Sequence, residues 1–215
     1  MKKLVMQFIQ KTPLNYFFKK WVVKRTQAAE FAEWEKKGRP NPPPHTIKQK
    51  VLREHAQKYG LKVMVETGTY LGDMVEAMRP DFDQIYSIEL SHDLYEKAKM
   101  RFKGVKKVEL IQGDSGVELG KLMSRINQAT LFWLDGHYSA GITAKGEKDT
   151  PIFEELRHIL GAVNRGHVII IDDARSFGKV PAYPSIEELF DFVKSKRDSV
   201  DIIVRDDSIQ ITPKL

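Results

Sequence analysis

The sequence contains no cysteine and no long apolar run, and each absence narrows the range of functions. With no cysteine among 215 residues, disulfides, zinc–thiolate sites and thiol nucleophiles are excluded. No apolar run approaches the roughly 18–20 residues that a membrane-spanning helix needs. The first residues are basic but lack the sustained apolar stretch and the small-residue cleavage site of a secretory signal. We therefore expect a cytoplasmic protein.

Positive charge is concentrated in one short segment. The chain has a formal charge of +6, and residues 1–25 contain basic residues but no acidic one, so the remainder is close to neutral. Enzymes that act on nucleic acid more often spread basic residues along a groove of the main domain, and nucleic acid is therefore an unfavoured partner. The basic segment instead permits membrane association through anionic lipid, or contact with an acidic glycan.

The N-terminal region is predicted to form an amphipathic helix followed by a stiff linker. Thr12-Pro13 is a good helix start and Gly38 a plausible stop, and the prolines after Gly38 cannot continue a helix. The apolar stripe of this helix favours burial against the main domain or a second subunit, which leaves a homo-oligomer open. We predict three segments: a basic helical arm (residues 1–38), a proline-rich linker (39–45) and one folded domain (46–215).

Short apolar runs alternate with helical patterns from Leu61 onward. Such alternation predicts βαβ units and a mostly parallel sheet with helices on both faces, a Rossmann-like α/β fold. Two apolar runs around a polar turn in residues 200–213 predict a closing antiparallel hairpin, which brings the sheet to seven strands. Five strands are expected near 61–66, 84–89, 107–112, 130–135 and 167–172. Helices are expected near 46–59, 72–79, 91–103, 115–127, 151–164 and 185–197.

Polar or acidic side chains follow the predicted strands, where open α/β sheets bind their ligands. Gly68 and Gly72 allow a tight strand-to-helix turn and close approach of the backbone to a ligand. Glu89 lies 23 residues after Glu66, near the spacing of an acid that accepts ribose hydroxyls. Either member of Asp114-Ser115 can bond an adenine edge.

Acidic residues also follow the fourth and fifth predicted strands. Asp135 and the pair Asp172-Asp173 offer oxygen ligands from neighbouring strands, which suits a hard divalent cation such as Mg²⁺. The alternative for the pair is that it caps the following turn, as aspartate often does.

Over residues 61–213 these features resemble the class I S-adenosylmethionine-dependent methyltransferases. The segment Glu66-Thr67-Gly68-Thr69-Tyr70-Leu71-Gly72 is similar to their first motif, especially in the catechol O-methyltransferase type. The resemblance implies S-adenosylmethionine as cofactor, with the methionine part at the first turn, ribose at the end of strand two and adenine after strand three. It assigns cofactor contacts to Glu66, Gly68, Thr69, Tyr70, Gly72, Glu89, Asp114, Ser115 and Asp135.

A second resemblance, to the catechol-type and macrolide-sugar O-methyltransferases, implies metal-assisted chemistry. In those enzymes the acids after strands four and five bind Mg²⁺, and Asp135, Asp172 and Asp173 match them. The sugar enzymes place a general base just after the first of these acids, which implies that His137 and Asp135 are catalytic. Tyr138 stands where the catechol enzymes use a lysine. The loop 139–149 reads as a lid over a small-molecule or sugar acceptor, which Tyr183 could also reach.

Two other functions are compatible with the sequence. An NAD-linked oxidoreductase would share the sheet, although the first motif lacks the usual third glycine and the terminal hairpin fits poorly. A non-catalytic or nucleic-acid-binding protein would use the basic arm. Fold class alone does not decide among the three.

Overall fold

The computed structural model describes residues 28–136 and 150–214. The chain divides into two compact units, residues 1–48 and 49–215, while the finer division into arm, linker and domain stays a prediction. In the first unit residues 28–36 are helical, and the chain leaves the helix at Gly38, whose φ is +80°. Trp34 Nε1 donates a hydrogen bond of 2.8 Å to the carbonyl oxygen of Pro40. The predicted helix end at Gly38 is confirmed, whereas the predicted start at Thr12-Pro13 lies outside the described residues.

The second unit is built around one seven-stranded sheet with the order β3-β2-β1-β4-β5-β7-β6. Strands β1 to β5 are parallel, whereas β7 runs antiparallel between β5 and β6. The strands are β1 (Val63–Thr67), β2 (Gln84–Glu89), β3 (Val108–Gln112), β4 (Thr130–Leu134), β5 (Val168–Ile171), β6 (Val200–Arg205) and β7 (Ser208–Pro213). The helices are α1 (His45–Lys58), α2 (Asp73–Met78), α3 (His92–Arg101), α4 (Ser115–Met123), α5 (Ile152–Gly161) and α6 (Ile186–Lys196). The predicted α/β class and the closing hairpin are confirmed.

Apolar side chains on both faces of the central strands make two cores. Met64 and Trp133 belong to the core that includes residues of α1, α2 and α3. Val65 and Phe132, one residue away along the same strands, belong to the core with α4, α5 and α6. Because successive side chains of a strand point to opposite faces, a strand buried on both sides is expected to be mostly apolar. This explains why β5 consists of valine and isoleucine alone.

Short polar side chains fix where several helices begin. Ser91 and Asp114 accept backbone N–H bonds at the starts of α3 and α4, and Ser185 forms a reciprocal capping box with Glu188 at the start of α6. These caps satisfy amides that would otherwise lack partners. The predicted helix over 115–127 stops earlier, at Met123, where Ser124 Oγ bonds back to the carbonyl of Lys121. Within residues 28–136 and 150–214, none of the helices combines the length and the hydrophobicity of a transmembrane segment.

Candidate active site

The turn between β1 and α2 requires glycine at two positions, for different reasons. Gly68 has φ +85°, and a Cβ there would lie 2.5 Å from the carbonyl oxygen of Asp135. Gly72 has φ +78°, and its Cβ would lie 2.6 Å from the ring of Phe102. Side chains strongly disfavour both the left-handed conformation and such contacts. The turn therefore presses against the end of β4 on one side and against α3 on the other, while close approach to a ligand stays a prediction.

Glu66, at the end of β1, is buried with only 2% of its surface exposed. Its carboxylate accepts a hydrogen bond from Ser87 Oγ, and Ser87 Oγ in turn lies 2.6 Å from Thr69 Oγ1. Burial raises the pKa of Glu66 to about 8, with the charge of Glu89 acting in the same direction. At neutral pH Glu66 is therefore largely a protonated acid that can donate as well as accept hydrogen bonds.

Glu89, at the end of β2, holds the same turn in place. One carboxylate oxygen accepts a 2.7 Å hydrogen bond from the amide of Tyr70 and the other a 2.9 Å bond from the amide of Ser91. Tyr70 itself has φ +49°, so this contact secures a backbone conformation that tyrosine rarely adopts. Burial raises the pKa of Glu89 above its ordinary value, against the lowering effect of these amides. A carboxylate offers about four acceptor positions, which leaves capacity for the hydroxyls of a ribose.

Asp114 and Ser115 follow β3 at the same edge of the sheet. Asp114 Oδ1 accepts a 2.8 Å hydrogen bond from the amide of Gly116, which makes Asp114 the N-cap of α4. Ser115 is buried in the first turn of that helix. The local fold thus gives Asp114 a structural role beside the predicted contact with adenine.

Asp135, Asp172 and Asp173 form one acidic cluster, as their positions after β4 and β5 predict. Each offers a carboxylate oxygen, and these oxygens all lie within 4.8 Å of one another. The amide of Asp172 donates to the carbonyl of Leu134 over 3.0 Å, so the pairing of β4 with β5 continues into the cluster. Three converging carboxylates, one of them 1% exposed, repel one another unless a cation lies between them. This donor set fits a hard divalent cation.

The turn-capping alternative does not hold for the side chain of Asp173. A short 3₁₀ turn (Ala174–Ser176) does follow, but the side chain of Asp173 makes no capping hydrogen bond to it. Instead, Arg175 Nη1 lies 2.9 Å from Asp173 Oδ1 and also pairs with the buried carboxylate of Asp207 in the β6–β7 turn. One arginine thus orients an acid of the cluster and ties it to the terminal hairpin. Sequence reasoning missed this arginine because its two partners come from different segments.

Tyr183 stands beside the acidic cluster. Burial raises the pKa of its hydroxyl above the ordinary value, and the charges of Asp173, Asp135 and Asp172 act in the same direction. Its ring packs edge-on against Phe177 with the ring centroids 5.1 Å apart. The Tyr183 hydroxyl is therefore a neutral group at physiological pH, held near the carboxylates.

Glu155 is a further buried acid that the sequence analysis did not single out. It lies in the first turn of α5 with no exposed surface, and neither of its oxygens nor Thr67 Oγ1 has a hydrogen-bond partner. Burial raises the pKa of Glu155 to about 7; the hydroxyls of Ser115 and Thr67 are near enough to oppose this rise without reaching hydrogen-bonding geometry. A Cβ on Gly136 would lie 3.1 Å from Thr67 Oγ1 and 3.4 Å from Glu155 Oε1. A helical wheel would have flagged Glu155, because it shares the apolar stripe of Ile152, Leu156 and Ile159.

The structure brings most of the predicted site residues to one edge of the sheet. Gathered there, at or just beyond the ends of β1 to β5, are Glu66, Gly68, Thr69, Tyr70, Glu89, Asp114, Ser115, Asp135, Asp172 and Asp173. Gly72 starts α2 beyond the first turn. His137 and the predicted lid 139–149 lie outside the described residues.

Comparison with known proteins identifies the fold. No protein-family model matches the sequence, and no curated protein matches it. Among solved structures the chain is similar to the methyltransferase PaMTH1 of Podospora anserina bound to S-adenosylhomocysteine (SAH), with 17% identity, 95% of this chain and 98% of that chain covered, and a TM-score of 0.56. An O-methyltransferase of Bacillus cereus in complex with SAH gives 15% identity, coverages of 88% and 91%, and a TM-score of 0.56. The O-methyltransferase TomG of Streptomyces achromogenes in complex with S-adenosylmethionine (SAM) gives 15% identity, with 87% of this chain and 88% of that chain covered, and a TM-score of 0.55.

These likenesses define the class: the chain has the fold of the class I SAM-dependent methyltransferases. Within that class the resemblance to O-methyltransferases of the catechol type is supported at the level of the fold. The antiparallel β7 between β5 and β6 also separates this sheet from the classic dinucleotide-binding order 3-2-1-4-5-6.

Proposed function

We propose that the protein is a SAM-dependent O-methyltransferase that methylates a hydroxyl of a small molecule or sugar with the help of Mg²⁺ or another divalent cation. One observation carries the proposal: the first turn, which would meet the methyl donor, touches the backbone of Asp135, whose carboxylate belongs to the acidic cluster. Donor and cation sites would then adjoin, as transfer to a cation-held oxygen requires.

The residues for the donor follow the resemblance position by position. SAM, when bound, supplies a sulfonium-activated methyl group that passes to the acceptor oxygen as the sulfur–carbon bond breaks. Glu66 and the turn at Gly68 would hold its methionine part, and the free acceptor positions of Glu89 would take the ribose hydroxyls. Asp114 and Ser115 would face adenine.

The cation would be held by Asp135, Asp172 and Asp173. Bound there, it would supply Lewis acidity that lowers the pKa of the acceptor hydroxyl. Arg175 keeps Asp173 in position through their ion pair and offsets part of the negative charge of the cluster. Glu66 adds little charge near neutral pH because burial raises its pKa to about 8, whereas Glu155, whose pKa is raised to about 7, is about half ionised there.

Proton removal and acceptor placement fall to two further residues. His137 would accept the proton of the acceptor hydroxyl, since an unperturbed imidazole has a pKa near ~6.5 and is mostly neutral at pH 7. Tyr183, whose raised pKa keeps its hydroxyl protonated, would donate a hydrogen bond that orients the acceptor. A carbon–oxygen bond would form as the sulfur–carbon bond breaks, SAH would leave as a neutral thioether, and His137 would hold the proton.

Calorimetry with SAM and SAH, each with Mg²⁺ or with EDTA, tests both halves of the proposal. We expect either nucleoside to bind the wild-type protein and Glu89→Ala to weaken binding by roughly 10- to 100-fold, as expected for lost hydrogen bonds to a charged group. Asp83→Asn, an exposed acid before β2, is the matched control and should bind normally. Binding of NADH in place of SAM would overturn the proposal in favour of an oxidoreductase. If SAH binds but titration of Mg²⁺ into the SAH complex produces no heat of binding, the cation is removed and the enzyme class is kept.

A further inference from the structure

Strand β6 forms one edge of the sheet and exposes apolar residues there. It comes last in the strand order, paired with β7, and Ile203 and Val204 are 49% and 47% exposed. An edge strand presents unpaired N–H and C=O groups that can template pairing with another chain. Natural edges can be protected by charged side chains, proline or a bulge; β6 carries Asp201 and Arg205 but has no proline and pairs with β7 over six regular residues.

The β6–β7 turn determines which backbone groups of β6 point outward. Arg205 and Ser208 flank the two-residue turn 206–207, and both turn residues have positive φ, of 50° and 58°, as in a type I′ hairpin. In such a hairpin the flanking residues exchange both hydrogen bonds, and paired residues alternate in this respect along an antiparallel ladder. The N–H and C=O groups of Ile202 and Val204 therefore point away from β7, toward the open edge.

We propose that β6 pairs with β6 of a second copy of this chain, antiparallel and centred on Ile203. Ile202 then lies opposite Val204 of the second copy, and the two residues exchange backbone hydrogen bonds. Ile203 lies opposite its own counterpart. Asp201 lies opposite Arg205 of the second copy, and the two-fold axis repeats this ion pair. The sequence of the strand is thus complementary to itself when read in the opposite direction.

Charge selects this register among those that the backbone permits. An antiparallel partner must match outward-pointing groups, and the smallest shifts that keep this match move the centre to Ile202 or to Val204. Centred on Ile202, the pairing places Asp201 opposite Ile203. Centred on Val204, it places Asp201 opposite Asp207 and Ile203 opposite Arg205. Of these three pairings, only the one centred on Ile203 joins opposite charges, at a non-hydrogen-bonded position where side chains come closest.

The proposed dimer has a definite architecture. Its two-fold axis is perpendicular to the sheet, so the two seven-stranded sheets join into one continuous sheet. The axis reverses the strand directions between the copies. The carboxyl ends of β1 to β5, where the candidate active site lies, therefore point in opposite directions in the two copies. Each site stays complete within one copy, so the dimer and the proposed activity can be tested separately.

Disulfide trapping tests the register directly, because the chain has no cysteine of its own. In Ile203→Cys the two thiols would face each other across the axis with Cα atoms about 4.5 Å apart, within the range of a disulfide. We expect a covalent dimer under mild oxidation that reducing agent reverses. Val204→Cys and Val163→Cys, both exposed, are controls that should remain monomeric on denaturing gels. If Ile203→Cys links no faster than Val163→Cys, or if Val204→Cys links best, the proposal is overturned.

Charge reversal in the full-length chain, read by sedimentation, tests the proposed ion pairs. Asp201→Arg or Arg205→Asp alone places like charges opposite each other at both symmetric positions and should weaken the dimer by at least about tenfold. An equimolar mixture of the two single variants should recover the dimer, because each chain then complements the other. A wild-type monomer at all concentrations tested, a dimer that neither reversal weakens, or a mixture that stays monomeric would overturn the pairing.

Discussion

Gly68 and Asp135 are in contact across two strands, so closely that a single added carbon on Gly68 would meet the Asp135 carbonyl oxygen at 2.5 Å. Gly68 belongs to the proposed donor turn and Asp135 to the acidic cluster. The proposed donor site and the proposed cation site therefore adjoin at the contact between Gly68 and the backbone of Asp135. A displacement at either residue must be transmitted to the other, because the backbone atoms in contact cannot yield as a flexible side chain can.

Gly68→Ala should damage both sites at once. We expect loss of SAM binding and of the stabilisation by Mg²⁺, together with a fall in unfolding free energy that exceeds the ~1–2 kcal/mol cost of left-handed backbone alone. Urea denaturation and calorimetry measure these effects. Gly104→Ala is the matched control, because Gly104 has φ +81° but nothing within 4 Å of an added Cβ. Equal destabilisation by the two substitutions would show that the Gly68–Asp135 contact is unimportant.

Asp172→Asn should abolish the stabilisation of the protein by divalent cations. Removing one of three converging charges relieves repulsion, so without metal we expect a melting temperature at or above that of the wild type. The wild type should gain about 2.7 kcal/mol of stability at a Mg²⁺ concentration one hundred times its Kd, and the variant should gain almost none. Thermal melts with Mg²⁺ and with EDTA provide the measurement, with Asp83→Asn as control. A wild-type melt that does not respond to Mg²⁺, Mn²⁺ or Ca²⁺ would contradict the predicted cation site.

Glu155→Gln should change how stability depends on pH. Burial raises the pKa of Glu155 in the folded protein from 4.5 to about 7, so between these values the folded state binds more protons than the unfolded state. The unfolding free energy of the wild type should therefore fall as pH rises through this window, by up to roughly 3 kcal/mol, and the loss should then level off.

The amide of the Gln variant does not titrate, so its unfolding free energy should fall less between pH 4.5 and 7. Urea denaturation across this range tests the difference, and Glu54→Gln, an exposed acid on α1, should behave as the wild type does. Parallel pH profiles for the wild type and Glu155→Gln would be inconsistent with a buried titrating carboxyl group at this position.

His137→Gln should separate binding from turnover. If His137 is the general base, kcat should fall by roughly 10²–10⁴-fold, while the affinity for SAM stays within a few-fold of the wild type. His92→Gln, in the first turn of α3, is a control expected to leave both parameters unchanged. Unaltered turnover in His137→Gln would assign proton removal to another group or to solvent.

The fold was largely predictable because its signals are local. Valine and isoleucine at every position of β5 predict a strand buried on both faces, and the alternation of runs predicts parallel pairing. The aspartates after β4 and β5 could be placed together for the same reason, since neighbouring parallel strands end at one edge. The insertion of β7 between β5 and β6 has no local signal and was anticipated only as a hairpin that closes the sheet.

The parts of the site that were missed depend on contacts distant in sequence. Arg175 takes its role from Asp207, 32 residues away, and no spacing rule joins them. Glu155 is the exception, because the apolar stripe of α5 that it shares with Ile152 and Leu156 is a local signal that the sequence analysis overlooked.

The ion pairs of Arg175 give the terminal hairpin a second consequence. Because the same guanidinium contacts Asp173 and Asp207, the hairpin acts as a brace for one oxygen donor of the acidic cluster. A strand of a second chain paired with β6 would restrict motion of the β6–β7 hairpin. Through Arg175, association of two chains would thereby restrict how far the Asp173 carboxylate can move when an ion binds.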